Sequence, residues 1–175
     1  KIERPIKWVA ERTESFLTDT HGRDHVTHAE LAVSNDGKFL GFKNETIANL
    51  GAYARVFGTV TPTYLFGPCA TGVYTIPAAY TNVKAVYTNT APVDAYRGAG
   101  RPEATYTIER LVEKAAMELG IDRTEIRMKN FPTEFPFKQT LIHTVDSGDY
   151  VASLEKAKQM SDYNGFEARR KKSEA

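Results

Sequence analysis

"DAYRGAGRPEATYTIERLVEKAAMEL", residues 94–119, divides the chain into two kinds of structure. In its second half Ala104, Ile108, Leu111, Val112, Ala115, Ala116 and Leu119 recur at helical spacing, which predicts one apolar stripe along an α-helix. Gly120 stops that helix, because glycine accepts the left-handed conformation at a C-terminus. Pro102 suits the first turn, where its missing N–H costs nothing, and Glu103 suits the positive end of the helix dipole. The first half is less ordinary. Arg97 and Arg101 flank Gly98, Ala99 and Gly100, a run stripped of side chains between two charges. Small residues let a main chain approach another group closely, and amides exposed ahead of a helix donate to anions. On the residues alone, an ordinary structural turn and an anion-facing loop both stay open, the turn being the commoner use of short glycine motifs.

Upstream of this stretch the patterns are those of strands. "IKWVAE", Ile6 to Glu11, alternates apolar and polar residues and is expected to be a strand, followed by "RTESFL" as a short helical turn. "HVTHAELAVS" and "KFLGFKNETIANL" form a hairpin across Asn35-Asp36-Gly37. Thr27, Ala29, Leu31 and Val33 share one face of the first arm, opposite His28 and Glu30. In the second arm Phe39 and Gly41 alternate with Leu40 and Phe42, so both faces are expected to be partly covered. From Gly51 to Thr71 the chain is rich in glycine, proline and aromatics without periodicity, which predicts a packed, irregular segment. A further strand is centred on Val83 to Tyr87, bounded by Pro77 and Pro92.

Downstream the patterns are helical. Asp122 with Glu125 makes an N-terminal cap for a helix through Asn130, and "NFPTEFPF" then interrupts. Ser147 is expected to cap a helix reaching about Met160, with Val151 and Leu154 on its buried side. A basic segment follows Gly165. This order predicts an α+β fold: a mixed sheet with helices packed on one face, strands mainly N-terminal and helices mainly C-terminal. We expect a single unit over residues 1–175, strand-rich over 1–93 and helical over 94–175.

The chain has 175 residues, 41% hydrophobic and 26% charged, within the range of a soluble globular protein that can bury a core. A net charge of +1 argues against recruitment of nucleic acid or an anionic membrane. No apolar run approaches the roughly 20 residues of a membrane span. The single Cys69 excludes an internal disulfide and an iron–sulfur cluster held by this chain alone, and a reducing, cytoplasmic setting fits. Starting at Lys1 almost directly in a strand-like segment, the chain is expected to be an internal piece of a longer protein.

Other chemistry is sparse. The G-A-G-R-P-E run has Glu103 where a dinucleotide-binding fingerprint needs its third glycine, and it lacks the Gly-Lys-Ser/Thr of a P-loop. His25 and His28 are an odd number of residues apart on a strand and point to opposite faces, so with His21 they make a poor ligand set. His143 stands alone, Cys69 is expected to be an inert thiol, and "RRKK" at 169–172 to be a solvated helix end.

Several segments in order, "RPIKWVAERTESFLTDTHGRDHVTHAELAVSNDGKFLG", "IANLGAYA", "TGVYTIP", "TNTAPVDAYRGAGRPEATYTIERLVEKAAMELGID" and "IRMKNF", resemble the molybdenum-binding subunit of the xanthine dehydrogenase, aldehyde oxidase and aerobic carbon monoxide dehydrogenase family. The likeness runs from near residue 4 to about residue 168, and "AYRGAGR" is similar to its form II branch. The resemblance implies a molybdenum–molybdopterin cofactor, in a cytosine dinucleotide form. It implies oxidation of a small-molecule substrate with oxygen from water, and electron transfer to iron–sulfur clusters and FAD on partner chains or domains. It implies that Arg97 presents its backbone amide to the molybdenum centre, with Gly98 and Gly100 as cofactor-binding neighbours. Ala99 stands where xanthine-oxidising members carry a substrate-stacking phenylalanine. Leu65 stands at about the position of their second substrate-binding arginine. Both departures argue against a purine. Gly98 stands where copper-containing carbon monoxide dehydrogenases carry a copper-bridging cysteine, which puts that route in doubt. The upstream glycine-phenylalanine-glycine loop and the catalytic glutamate of the family are expected outside these residues, so no catalytic residue is assigned within the chain. The alternatives are a carbon monoxide dehydrogenase proper, and a structural or binding module that kept the fold without the chemistry.

Overall fold

A computed structural model of the chain describes residues 3–174. The architecture is α+β, with a three-stranded mixed sheet of order β1-β2-β3. A short helix α1, Arg12–Thr18, precedes β1, His25–Val33, and β2, Phe39–Gly51. These two strands form the expected antiparallel hairpin, with Gly37 at φ +88° in the turn. Strand β3, Ala79–Tyr87, pairs parallel to β2. A parallel neighbour cannot be reached by a tight turn, so residues 52–78 form the crossover. They do so as the packed irregular segment the sequence predicted, with one 3-10 turn at Gly67–Cys69 and with Phe66 and Ala70 fully buried.

The second half is helical. Helix α2, Arg101–Leu119, lies on the sheet with Ala104, Ile108, Val112 and Ala116 buried, four positions of the predicted stripe. Gly120 ends it at φ +65°: its N–H donates to Met117 O at 3.3 Å and the Ile121 N–H to Ala116 O at 3.0 Å, a Schellman closure. Helix α3, Arg123–Asn130, is capped by the Asp122 carboxylate, which accepts from the Thr124 and Glu125 amides. A two-stranded ribbon, β4 (Phe137–Lys138) with β5 (Thr144–Val145), precedes α4, Tyr150–Met160, and α5, Phe166–Glu174.

Four expectations are corrected. Residues 6–11 form no strand: Ile6, Trp8 and Val9 are 71%, 68% and 72% exposed. Alternation needs a partner ladder to become a strand, and among the described residues the first bridge on this side is at His21, to Val93. In β2 only one face is covered. The register slips between Ala32 and Val33, which pair with Gly41 and Phe39. This bulge leaves Leu40 outside and turns Phe39 and Phe42 both inward, at 3% exposure each. Helix α4 is capped by Asp149, whose carboxylate accepts from the Ala152 amide, and not by Ser147. Its Val151 is 39% exposed, because α4 meets α3 only at its edge.

The core joins Phe39, Phe42, Tyr74, Ile108, Val112 and Ile126. Asn130, fully buried, ties three parts of it together. Its Oδ1 accepts from the Phe39 amide at 2.9 Å, and its Nδ2 donates to Gly37 O and Ile126 O at 2.8 Å each. Its own carbonyl accepts from the Thr75 amide at 2.9 Å and hydroxyl at 3.0 Å. At the opposite end of the sheet His25 packs edge-on against Phe66, ring centroids 5.0 Å apart. Burial holds its imidazole below the ordinary 6.5, with Glu103 and Asp24 opposing.

Asn130→Ala leaves buried amide and carbonyl groups unpaired, and is expected to cost about 3 kcal/mol of stability in denaturant titration. His25 is expected to titrate below 6.5 in a ring-proton NMR titration. Since the unfolded chain then binds the proton first, its contribution is intact above pH 6.5 and is lost as pH falls through the folded value. His25→Gln is expected to flatten that acid limb.

Candidate functional site

The loop ahead of α2 is anchored at its root by a strand-like exchange: the His21 amide donates to Pro92 O and the Asp94 amide to His21 O, both at 2.9 Å. The Val93 amide donates to Leu50 O at 3.0 Å, so the loop leaves directly from the end of β2. Asp94 turns it, its Oδ1 accepting from the Ala95 amide at 2.8 Å and the Phe57 amide at 3.1 Å.

Three successive residues then take positive φ: Gly98 at +89°, Ala99 at +39° and Gly100 at +87°. A turn bond from the Ala99 amide to Tyr96 O, 2.7 Å, and another from the Arg101 amide to Gly98 O, 3.2 Å, close the loop. The two glycines are required by the chain itself. A Cβ on Gly100 would lie 2.5 Å from Thr61 O and 2.8 Å from the carbonyl carbon of Leu65, and one on Gly98 would lie 2.7 Å from the Pro102 ring. The close approach anticipated from the small residues is thus, in the first place, to the crossover segment and to Pro102.

What the loop leaves free is its outer side. Arg97 and Gly98 are exposed, and neither backbone N–H has a hydrogen-bond acceptor among the described residues. The Arg97 carbonyl, by contrast, is taken by the Arg23 guanidinium. With the exposed Tyr96 N–H before them also unpartnered among the described residues, these consecutive amides beside a helix N-terminus suit an oxygen-rich, electron-dense group. Of the residues the sequence reading grouped, Arg97, Gly98, Ala99 and Gly100 are contiguous in the loop, and the fold sets Leu65 against Gly100. Leu65 and Gly100 approach through their backbones, and Ala99 is half-buried.

Sequence reasoning missed two pairings, Arg23 with Glu103 and Cys69 with His143. Arg23 and Glu103 line one end of a groove of about 530 Å3 between β1 and α2, with His25, Thr27, Tyr106 and Arg110. Cys69 lies 3.5 Å from His143 Nε2, although the two are 74 residues apart. Burial pushes the Cys69 thiol up against the pull of Arg101, as an unreactive cysteine requires. No signal in the sequence pairs these residues, because each contact depends on the crossover or on β1. Among the described residues no three His, Cys, Asp or Glu side chains gather to hold a metal, and no helix is long and apolar enough to cross a membrane.

Comparison with known proteins gives the family of the chain. Over 172 residues the chain is 42% identical to the carbon monoxide dehydrogenase large chain of Hydrogenophaga pseudoflava, covering 95% of this chain and 21% of that protein. It is 36% identical to the 6-hydroxypseudooxynicotine dehydrogenase complex subunit gamma of Paenarthrobacter nicotinovorans, covering 91% of this chain and 21% of that one. The crystal structure of quinoline 2-oxidoreductase from Pseudomonas putida 86 superimposes with a TM-score of 0.89 at 32% identity, over 96% of this chain and 22% of the other. The chain therefore spans about a fifth of the length of these relatives. The model of the molybdopterin cofactor-binding domain matches residues 1–131, and the chain belongs to that family.

Proposed function

We propose that the loop Tyr96–Gly100 meets the molybdenum end of a molybdopterin cytosine dinucleotide in the full-length enzyme, a molybdenum hydroxylase of small substrates. The observation that carries this reading is the pair of exposed, unpartnered N–H groups at Arg97 and Gly98. When bound, the cofactor supplies a two-electron oxidation that places water-derived oxygen on the substrate. The chain's own part is to hold two backbone donors still. A donor fixed before the reaction needs no reorganisation as charge develops beside it, and a backbone amide on a braced loop is such a donor.

Gly98 and Gly100 serve by shape: they allow the left-handed path that the loop follows. Ala99 and Leu65 line the substrate side. A methyl at Ala99 leaves a roomier wall than an aromatic ring, which suits substrates without a purine to stack. Gly98 carries no thiolate and Cys69 lies 3.5 Å from His143, so the loop itself offers no cysteine to bridge a copper ion. The base for the reaction lies outside this chain, as do the iron–sulfur and flavin partners that take the electrons, in a cytoplasmic complex.

Amide hydrogen exchange tests the reading without relying on turnover. In full-length enzyme, loading the cofactor is expected to slow exchange at Arg97 and Gly98 by about tenfold or more relative to protein from a cofactor-deficient host. Unchanged exchange at both would sink it. Bulk at Gly98 is a poorer probe, since any Cβ there collides with Pro102 before it meets a ligand. The 175-residue chain alone is expected to show no turnover and no stoichiometric molybdenum by elemental analysis.

A further inference from the structure

Arg23 lies between α1 and β1, remote in sequence from the loop, and holds a positive φ of +57°, a conformation that costs a non-glycine residue energy. From there its side chain makes three contacts with one small region. The guanidinium Nη2 donates to the Arg97 carbonyl. Nε lies 3.6 Å from Glu103 Oε2, in the first turn of α2. The guanidinium carbon sits 4.9 Å from the centroid of the Tyr96 ring.

The Glu103 carboxylate is the other half of this arrangement. Its side chain is 10% exposed, and neither oxygen has a hydrogen-bond partner among the described residues. A desolvated carboxylate needs a compensating charge, and Arg23 is the cation beside it. Glu103 thereby keeps the guanidinium under the loop, and the Tyr96 ring covers its face.

The consequence follows from peptide geometry. A trans peptide is planar, and its C=O and N–H point in opposite directions. Clamping the Arg97 oxygen from the groove side therefore aims the Gly98 N–H away from the groove, to the open side of the loop. We infer that Arg23 is a positioning residue: by holding the Arg97 carbonyl it fixes the plane of the Arg97–Gly98 peptide and aims the Gly98 donor outward. This rests on the cofactor-facing reading of the loop for its purpose, but not for its test.

The test uses cofactor-free, full-length enzyme and the two turn amides, Ala99 and Arg101, as reporters of loop order. Arg23→Met keeps bulk over Tyr96 without a donor. It is expected to speed exchange at Ala99 and Arg101 about tenfold or more, with Ile108 and Val112 in α2 unchanged. Arg23→Lys, which can still donate to the Arg97 carbonyl, is expected to recover most of the protection. The double variant Arg23→Met with Glu103→Gln removes the uncompensated carboxylate and is expected to stay fast. Wild-type exchange in Arg23→Met would overturn the inference, as would recovery in the double variant, which would assign the effect to Glu103 alone. If these results hold while cofactor loading leaves Arg97 and Gly98 unprotected in the wild type, the cofactor reading fails and the positioning role stands. The reverse pattern separates the two the other way.

Discussion

The site depends on one contact between stretches of bare main chain. Gly100 sits so close to Thr61 and Leu65 that no side chain fits between them. That contact fixes the start of α2 against the crossover, because Gly100 immediately precedes the helix. It also sets the position of the loop, because everything from Tyr96 to Gly100 hangs between this point and the bridge at His21. The crossover segment is irregular for the same reason. Its residues are shaped to meet a loop and a helix end, which a regular element could not do over so short a distance.

Around that contact the molecule spends its polar groups on holding the loop from below. Asp94 binds two amides at the loop's entrance, Arg23 takes a carbonyl at its middle, and Arg101 reaches back toward the Gly98 and Ala99 carbonyls. Acceptors on the inner side are used, while the donors of Arg97 and Gly98 on the outer side are left over. A loop of this kind is asymmetric in its hydrogen bonding, with its carbonyls engaged and its exposed amides unpartnered.

Much of the fold was legible in the sequence where the signal is local. The hairpin follows from Asp36-Gly37 between alternating arms. The α2 stripe, the Gly120 stop and the Asp122 cap follow from periodicity and from the chemistry of helix ends. Errors fell where the outcome depends on a distant partner. Residues 6–11 have a strand's alternation but no ladder to join, and the bulge at Leu40 is imposed by packing Phe39 beside Tyr74, ring centroids 5.3 Å apart. At the site, composition and the family resemblance singled out the loop. The contacts that require its glycines, to Thr61 and Pro102, were not legible there, because Thr61 comes from the distant crossover. Glu103 was read as a helix-start residue, but its pairing with Arg23 and the Cys69–His143 contact were not visible, because long separations in sequence leave no local pattern.

The parallel pairing of β2 with β3 has a consequence for how the molecule comes together. The hairpin closes over a three-residue turn and can form early, but β3 must wait for the whole crossover to be drawn in. The loop waits longer still, since its two anchors, near His21 and near Thr61, belong to segments that meet only once the sheet is complete. A well-ordered Arg97–Gly98 peptide is thus a certificate of assembly: it exists only in a chain whose early and late parts have already found each other.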